Sequence, residues 1–320
     1  MERALLLAEN GSGRVSPNPM VGAVIVCDGR IIGEGYHAFY GGPHAEVNAI
    51  RAVKTPDLPL LKKSVIYVSL EPCAHYGKTP PCASLIVETG IPEVVIGSLD
   101  PNPLVAGKGV KILEDAGVKV RVGVLEKECR YLNRKFMWAQ VSETPWITLK
   151  WAQSADGFMA LINDTGDPYP VRLSNPLSLV WMHRERSLYD AIMVGGNTER
   201  IDHPKLSVRA WGGNSPEKIV VHYDRDILDI LKDLRKNKVT SLLVEGGPTL
   251  LNEFIRRNLY NEVRVEVSSK VLGTGLKAPS LPKNLVLSSS CQCPSSPTGF
   301  VTSGSFQQEG SNLILRFKKE

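Results

Sequence analysis

The chain has 320 residues, 42% of them hydrophobic and 22% charged, enough for two cores of about 150 residues each and unlike a disordered or fibrous protein. Its formal net charge of +5 suits a phosphorylated ligand but is too mild and dispersed to point to nucleic acid, and six irregularly spaced cysteines exclude a secreted disulfide scaffold. The stretch after Met1, ERALLLAENGSGR, is too short in apolar residues for a signal peptide or membrane span, so a cytoplasmic protein is expected.

From residue 20 to 123, hydrophobic periodicity predicts strands at MVGAVIV and IIGEGYH, a helix at HAEVNAIRAVK and a strand at SVIYVSL. A helix at CASLIVETG, a strand at EVVIGSL, a helix at VKILEDAG and a strand at VKVRVGV follow. CRYLNRKFMWAQ is predicted as one further helix, and the polar SETP after it sets a boundary near Thr144. The second half begins with the strand WITLKWAQS, the helix PLSLVWMHRERS, and the strands DAIMVGG and KIVVHY. It continues with the helix DILDILKDLRK, the strand SLLVEGG, the helix PTLLNEFIRR, and the strands NEVRVEVS and NLILRF. Both halves are therefore α/β, giving domains 1–144 and 145–320, and VLSSSCQCPSSPTG near residue 290 is expected to be a surface connection.

Chemistry concentrates first in GGPHAEVNAI and EPCAHYGKTPPC. Pro43 supplies a rigid first turn, Val47, Ala49 and Ile50 give the helix an apolar face, and His44 and Glu46 fall in that first turn. Glu71-Pro72-Cys73 leads out of the next strand into a loop, and Cys82 opens a helix after Pro80 and Pro81. One imidazole and two thiolates suit a zinc ion that keeps its fourth position open, and bound zinc can lower the pKa of water to about 7. Glu46 is the nearest carboxylate able to take a proton from that water and pass it to a leaving amine.

The order H-x-E then P-C-x-x-C marks the zinc deaminases, but Cys73 and Cys82 are separated here by eight residues, AHYGKTPP, instead of two. Two other readings compete. One is a structural zinc closed by His75 as fourth ligand. The other is a nucleic-acid or free-nucleoside deaminase, which predicts the short cysteine spacing and a basic or aromatic groove.

Together with SPNPMVGAVIV, GEGYH and SLDPNPLVAGKGVKILEDAG, these motifs make residues 1 to about 140 resemble the pyrimidine deaminase half of the bifunctional riboflavin-biosynthesis deaminase/reductase family. The resemblance implies a cytidine-deaminase-like fold, zinc, and a ribosylamino diaminopyrimidinone 5′-phosphate substrate that exchanges a ring amino group for oxygen. By the same resemblance Asn18, His75, Lys78, Asp100 and Asn102 contact substrate. Their chemistry agrees: amides and carboxylates can read a polar base edge, while Lys78 and His75 can offer positive charge to a phosphate.

PWITLKWAQSADGFMA, LSNPLSLVWMHRERSLYDAIMVGGNT, IDHPKLSVR and SLLVEGGPTLLNEFIRRNLYNEVRVEVSSKVLG resemble the reductase half of the same family. That implies a dihydrofolate-reductase-like fold and NADPH, with Lys150, Thr198, Asp202, Gly246 and Gly247 toward the cofactor. Arg186, Leu206, Arg209 and Glu245 are implied on the substrate side, where arginine forks suit a sugar phosphate. The glycine pairs of DAIMVGGNT and SLLVEGGPTLL let backbone approach a ligand, and Pro248 starts a helix whose N–H groups suit a phosphate. Without G-x-G-x-x-G, a Rossmann domain is not expected.

Three departures stand out: Asp202-His203-Pro204 where the family has Asp-Asp-Pro, Arg172 in place of a tryptophan, and KIVVHYDRD running almost directly into a helix. They keep open an alternative, a deaminase whose reductase-shaped domain has lost cofactor binding. The expected partners are a phosphorylated pyrimidine small molecule and further copies of the chain, with no nucleic acid and no membrane.

Overall fold

The computed structural model describes residues 1–75, 80–102, 105–222, 224–282, 285–287, 306–309 and 311–319. The chain divides into two compact units, Met1–Ser142 and Glu143–Glu320.

The first unit runs α1 (Glu2–Glu9), β1 (Gly22–Cys27), β2 (Arg30–Tyr36), α2 (Ala45–Arg51), a 3₁₀ segment (Thr55–Lys63), β3 (Val65–Leu70) and α3 (Cys82–Thr89). It continues with β4 (Glu93–Ser98), α4 (Lys108–Asp115), β5 (Lys119–Val122), α5 (Glu126–Leu132) and α6 (Arg134–Val141). The strands are ordered β2-β1-β3-β4-β5; β1 is antiparallel to both neighbours, and β3, β4 and β5 are parallel. Successive strand side chains point to opposite faces, and β1 uses both. Ala23, Ile25 and Cys27 pack with Ala45, Ala49, Ala83 and Ile86 of α2 and α3, while Val24 packs with Ala4 and Leu7 of α1. Gly33 and Gly35 let α2 lie against β2, since a Cβ at either position would strike the backbone of Ala49. That close seating fixes the start of α2, where His44 and Glu46 sit.

The single helix expected over CRYLNRKFMWAQ is two helices, α5 and α6, broken at Asn133. The Asn133 side chain mimics a strand partner: its Oδ1 accepts from Met20 N at 2.8 Å and its Nδ2 donates to Met20 O at 2.8 Å. Those two bonds replace the helical continuity that periodicity alone predicts.

The second unit runs β6 (Trp146–Gln153), β7 (Phe158–Ile162), β8 (Pro168–Pro170), α7 (Pro176–Arg186), β9 (Ala191–Gly195), α8 (Gly196–Asp202), β10 (Glu217–Val221) and α9 (Ile227–Lys236). Then come β11 (Ser241–Glu245), α10 (Pro248–Arg256), β12 (Glu262–Val267), β13 (Leu276–Lys277), β14 (Leu285–Leu287), β15 (Phe306–Glu309) and β16 (Asn312–Lys319). The main sheet is ordered β10-β9-β11-β6-β12-β16-β14, parallel from β10 to β12 and antiparallel beyond, with β15 on β16. A separate antiparallel sheet has the order β13-β7-β8.

Alternation along β9 again builds two layers of core. Ala191 and Met193 meet Leu231 of α9 and Phe254 of α10, whereas Ile192 and Val194 meet Met182 of α7 and Leu206. The glycine-rich DAIMVGGNT passes directly into α8, which the sequence pattern did not predict. Strand β10 ends at Val221 and α9 begins at Ile227, with the Asp226 carboxylate capping Leu228 N at 2.8 Å. β10 is the last strand on its side among the described residues, and its Lys218 donates to Glu199 Oε1 at 2.9 Å and to Pro204 O at 3.0 Å. The segment expected as a surface connection lies, from Ser288 on, outside the described residues. Among those residues no helix is long and apolar enough to cross a membrane.

Candidate active sites

His44 is the extended residue immediately before α2, Cys73 lies in the loop after β3, and Cys82 is the first residue of α3. His44 Nδ1 stands 3.2 Å from Cys82 Sγ and 3.6 Å from Cys73 Sγ, and Cys82 N donates to Cys73 Sγ at 3.3 Å. Bonds of about 2.0 Å to nitrogen and 2.3 Å to sulfur, at a tetrahedral angle, place such donors about 3.6 Å apart. The two nitrogen–sulfur distances lie close to that spacing, all three donor atoms fall within 4.8 Å of one another, and one imidazole with two thiols fits zinc. Among the described residues no other His, Cys, Asp or Glu completes the group; His75 is exposed and stands outside it. Among the described residues the arrangement therefore has three protein ligands, one fewer than a closed structural site requires.

The two sulfurs divide their protons unequally. Hydrogen bonds from the Cys82 thiol and then from His44 hold the Cys73 pKa well below the usual thiol value, and the same Cys73 thiolate pushes the Cys82 thiol up. Glu46, 3% exposed in the first turn of α2, has its carboxyl pushed up to about 7 by burial and, second, by the Cys73 thiolate. It is a buried carboxyl beside the metal donors, poised to carry a proton.

Asn18 and His37 form a short relay toward this corner. His37 Nδ1 lies 3.0 Å from Pro43 O, and because a carbonyl only accepts, Nδ1 carries the proton. Nε2 is then the acceptor for the Asn18 amide at 3.2 Å, and the His37 ring meets His44 edge-on at a centroid distance of 5.6 Å. His37 is 3% exposed and its pKa is lowered, first by burial. Sequence reasoning quoted it only as the end of a strand; the signal available was a histidine closing GEGYH a few residues before GGPHAE. Asp100 Oδ1 accepts from Asn102 N at 2.8 Å. Burial raises the Asp100 pKa, the hydrogen bond from Asn102 N opposes the rise, and Glu71 adds to it. Lys78 lies outside the described residues.

In the second unit Lys150, Glu245 and the two glycine pairs lie toward the carboxyl ends of parallel strands, where ligands of open α/β sheets bind. Gly195 and Gly196 lead from β9 into α8, and Gly246 and Gly247 lead from β11 into α10 with Pro248 at its first position. Gly247 N donates to Thr198 Oγ1 at 3.0 Å, which ties the two glycine turns together. Lys150, 9% exposed on β6, sits in register between Glu245 of β11 and Arg264 of β12. Its pKa is lowered by burial, against the pull of Glu245 and Glu266.

Two expectations change. The fork of Arg186, expected for a sugar phosphate, is engaged by Glu245, with Nε to Oε1 at 2.9 Å and Nη2 to Oε2 at 2.8 Å. Burial works to raise the Glu245 pKa, but Lys150 and Arg186 outweigh it and hold the carboxyl down to about 2. The Leu206 side chain is 4% exposed in the core beside Met182 and Tyr189, so only its backbone, held at a left-handed φ of 50°, is available to a ligand. Arg209 is exposed and its N–H donates to His183 Nδ1 at 3.1 Å, and Asp202 stands exposed at the far end of α8 from the glycine pair.

Two charged residues of the second unit were missed. Glu266, 0% exposed, accepts from Ser178 Oγ at 2.6 Å, Asn312 Nδ2 at 2.6 Å and Ser174 Oγ at 2.9 Å, joining α7 and β16 to the sheet. Arg264, 1% exposed, stands two positions earlier on β12, next to Lys150. The sequence signal was charges at alternate positions of NEVRVEVS, a strand whose valines already fill one core.

Comparison with known proteins places both sites in one family. Residues 1–98 match the cytidine and deoxycytidylate deaminase zinc-binding region, and residues 145–226 and 224–296 match the RibD C-terminal domain. Riboflavin biosynthesis protein RibD of Aquifex aeolicus is 35% identical over 325 residues, covering 88% of this chain and 89% of that protein. RibD of Chlamydia pneumoniae is 39% identical over 325 residues, covering 85% and 84%. The crystal structure of a diaminohydroxyphosphoribosylaminopyrimidine deaminase/5-amino-6-(5-phosphoribosylamino)uracil reductase from Thermotoga maritima superposes with a TM-score of 0.85 at 32% identity, covering 100% of this chain and 97% of that one. A zinc-type deaminase corner in one unit and a reductase unit of RibD type in the other, matched end to end by such relatives, make this chain a member of the RibD family of bifunctional deaminase/reductases of riboflavin biosynthesis.

Proposed function

We propose that the first unit deaminates a ribosylamino diaminopyrimidinone 5′-phosphate and that the second reduces the ribosyl side chain of the product to ribityl with NADPH, the activities dividing between domains 1–144 and 145–320 as read from the sequence. The observation that carries the reading is the convergence of His44, Cys73 and Cys82 beside buried Glu46, with no further protein ligand among the described residues. When bound, zinc supplies Lewis acidity that brings water near a pKa of about 7, and NADPH supplies the hydride. Glu46 moves the proton: water loses it, the ring gains oxygen, and the amino group leaves as ammonia. His37 turns the Asn18 amide so that its N–H is occupied and its oxygen is left to accept from the base edge. Asp100, Asn102, His75 and Lys78 complete the contacts to base and sugar phosphate.

In the second unit the N–H groups of Thr249 and Leu250 in the first turn of α10, with the Thr198 hydroxyl, receive cofactor phosphate, and Asp202 borders the cofactor. Lys150 stands between cofactor and substrate, and Glu245, held by Arg186, accepts from the pyrimidine while Arg209 and the Leu206 backbone face the sugar phosphate. The test follows the diaminopyrimidinone phosphate by mass spectrometry on zinc-loaded protein, with and without NADPH. Deaminated product without cofactor, and ribityl product only with it, is the expected result. Deamination that NADPH never extends would reduce the second unit to a reductase-shaped partner.

A further inference from the structure

Helix α4 begins badly on its own terms. Its N-cap is Gly107, which has no side chain to bond the first N–H groups and holds a left-handed φ of 79°. The missing cap arrives from another part of the chain. Glu71, 7% exposed at the end of β3, accepts with Oε1 from Gly109 N at 2.9 Å and Val110 N at 3.3 Å. Its Oε2 accepts from Gly107 N at 3.0 Å and from Asp100 N at 3.2 Å. Gly109 is required for this approach, since a Cβ there would overlap the Pro72 carbonyl oxygen and crowd the Glu71 carboxylate.

The carboxylate thus grips both ends of the segment from Asp100 to Gly107. The segment is closed internally as well, with Asn102 O accepting from Val105 N at 2.9 Å and Ala106 N at 2.8 Å. On its other side Glu71 is joined through Pro72 alone to Cys73, and its own N–H donates to Ser98 O at 2.9 Å. One side chain therefore sets the distance between the loop bearing a metal donor and the loop bearing two substrate contacts. We infer that Glu71 is a positioning residue for deamination, fixing Asp100 and Asn102 relative to the Cys73 loop through four main-chain hydrogen bonds. The inference rests on the reading of Asp100 and Asn102 as substrate contacts.

Glu71→Gln keeps shape and removes one acceptor, so its amide nitrogen must face a pair of N–H donors. In the full chain this variant is expected to keep one zinc per chain and to raise the deaminase KM about tenfold or more, with kcat within about threefold, as for lost ground-state positioning. Combined with Asn102→Ala, it should add little to the KM of Asn102→Ala alone, because residues acting through one contact are not additive. A double variant whose KM rises by the product of the two single effects would overturn the inference, as would an unchanged KM in Glu71→Gln beside a raised one in Asn102→Ala. An unchanged KM in both Asn102→Ala and Asp100→Ala would instead remove the substrate reading of the loop. If Glu71→Gln loses zinc or fails to fold, Gly109→Ala keeps the carboxylate's charge while its Cβ presses against the Pro72 carbonyl and the carboxylate, pushing the start of α4 away, and should give the same KM rise. Loss of zinc in both variants would make Glu71 a support of the metal loop and end the proposal.

Discussion

In the first unit, three metal-type donors lie within 4.8 Å of one another, His44 Nδ1 standing 3.2 and 3.6 Å from the two sulfurs, with a buried carboxyl beside them. In the second, charged side chains already face one another: Arg186 grips Glu245, Lys150 stands between Glu245 and Arg264, and Glu266 adds its pull on Lys150. One corner is a set of donors awaiting an ion; the other is a network of paired side chains. Any contact a ligand of the second unit makes to Glu245 or Arg186 is therefore shared with an existing pair. This difference predicts that perturbing the first corner abolishes chemistry at little cost to folding, whereas perturbing the second costs stability first.

The largest effect should come from Cys82→Ala or from stripping the metal with a chelator. Zinc content should fall to zero and deamination should vanish, while NADPH-dependent reduction of pre-deaminated substrate persists; loss of both activities would show that the corners are not independent. Next is Glu46→Gln, expected to retain zinc and lower deaminase kcat by about 10²–10⁴, the usual worth of a positioned acid–base. Full activity in the zinc-loaded variant would remove Glu46 as the proton carrier.

Arg186→Ala leaves Glu245 buried without its partner, and the pair is only 13% and 11% exposed, so urea unfolding should report a loss of about 3–5 kcal/mol. Arg186→Met with Glu245→Gln should recover part of that stability without recovering reduction. A single variant as stable as the parent would show that Lys150 alone neutralises Glu245. The smallest effect is Thr198→Val, which leaves Gly247 N without its acceptor; a net hydrogen bond is worth about 1 kcal/mol, so the KM for NADPH should rise about fivefold with kcat little changed.

The layered α/β plan was legible because the strand and helix periods are clean; β1 and β9 each send alternate residues into two cores. His44, Glu46, Cys73 and Cys82 were legible because prolines mark the element starts that hold them and because zinc chemistry demands few residue types. Asn133 was not, since its two bonds to Met20 join positions 113 residues apart. Nor was the burial of Leu206 or the pairing of Arg186 with Glu245, 59 residues away: periodicity cannot say which of two charged groups finds the other. The helix over Gly196–Asp202 was hidden by glycines that read as a turn. His37 was hidden in plain view, a strand-end histidine whose partner is a backbone carbonyl six residues on.

The short link between β10 and α9 has a consequence beyond catalysis. It leaves β10 as a sheet border, and such borders invite strands from neighbouring molecules to add on. Lys218 stands on that border, its ammonium committed to Glu199 and to the Pro204 carbonyl. An incoming strand would have to cover that ammonium and break its two bonds. The lysine thus acts as a gatekeeper, favouring solubility of the folded chain at the edge that β10 forms among the described residues.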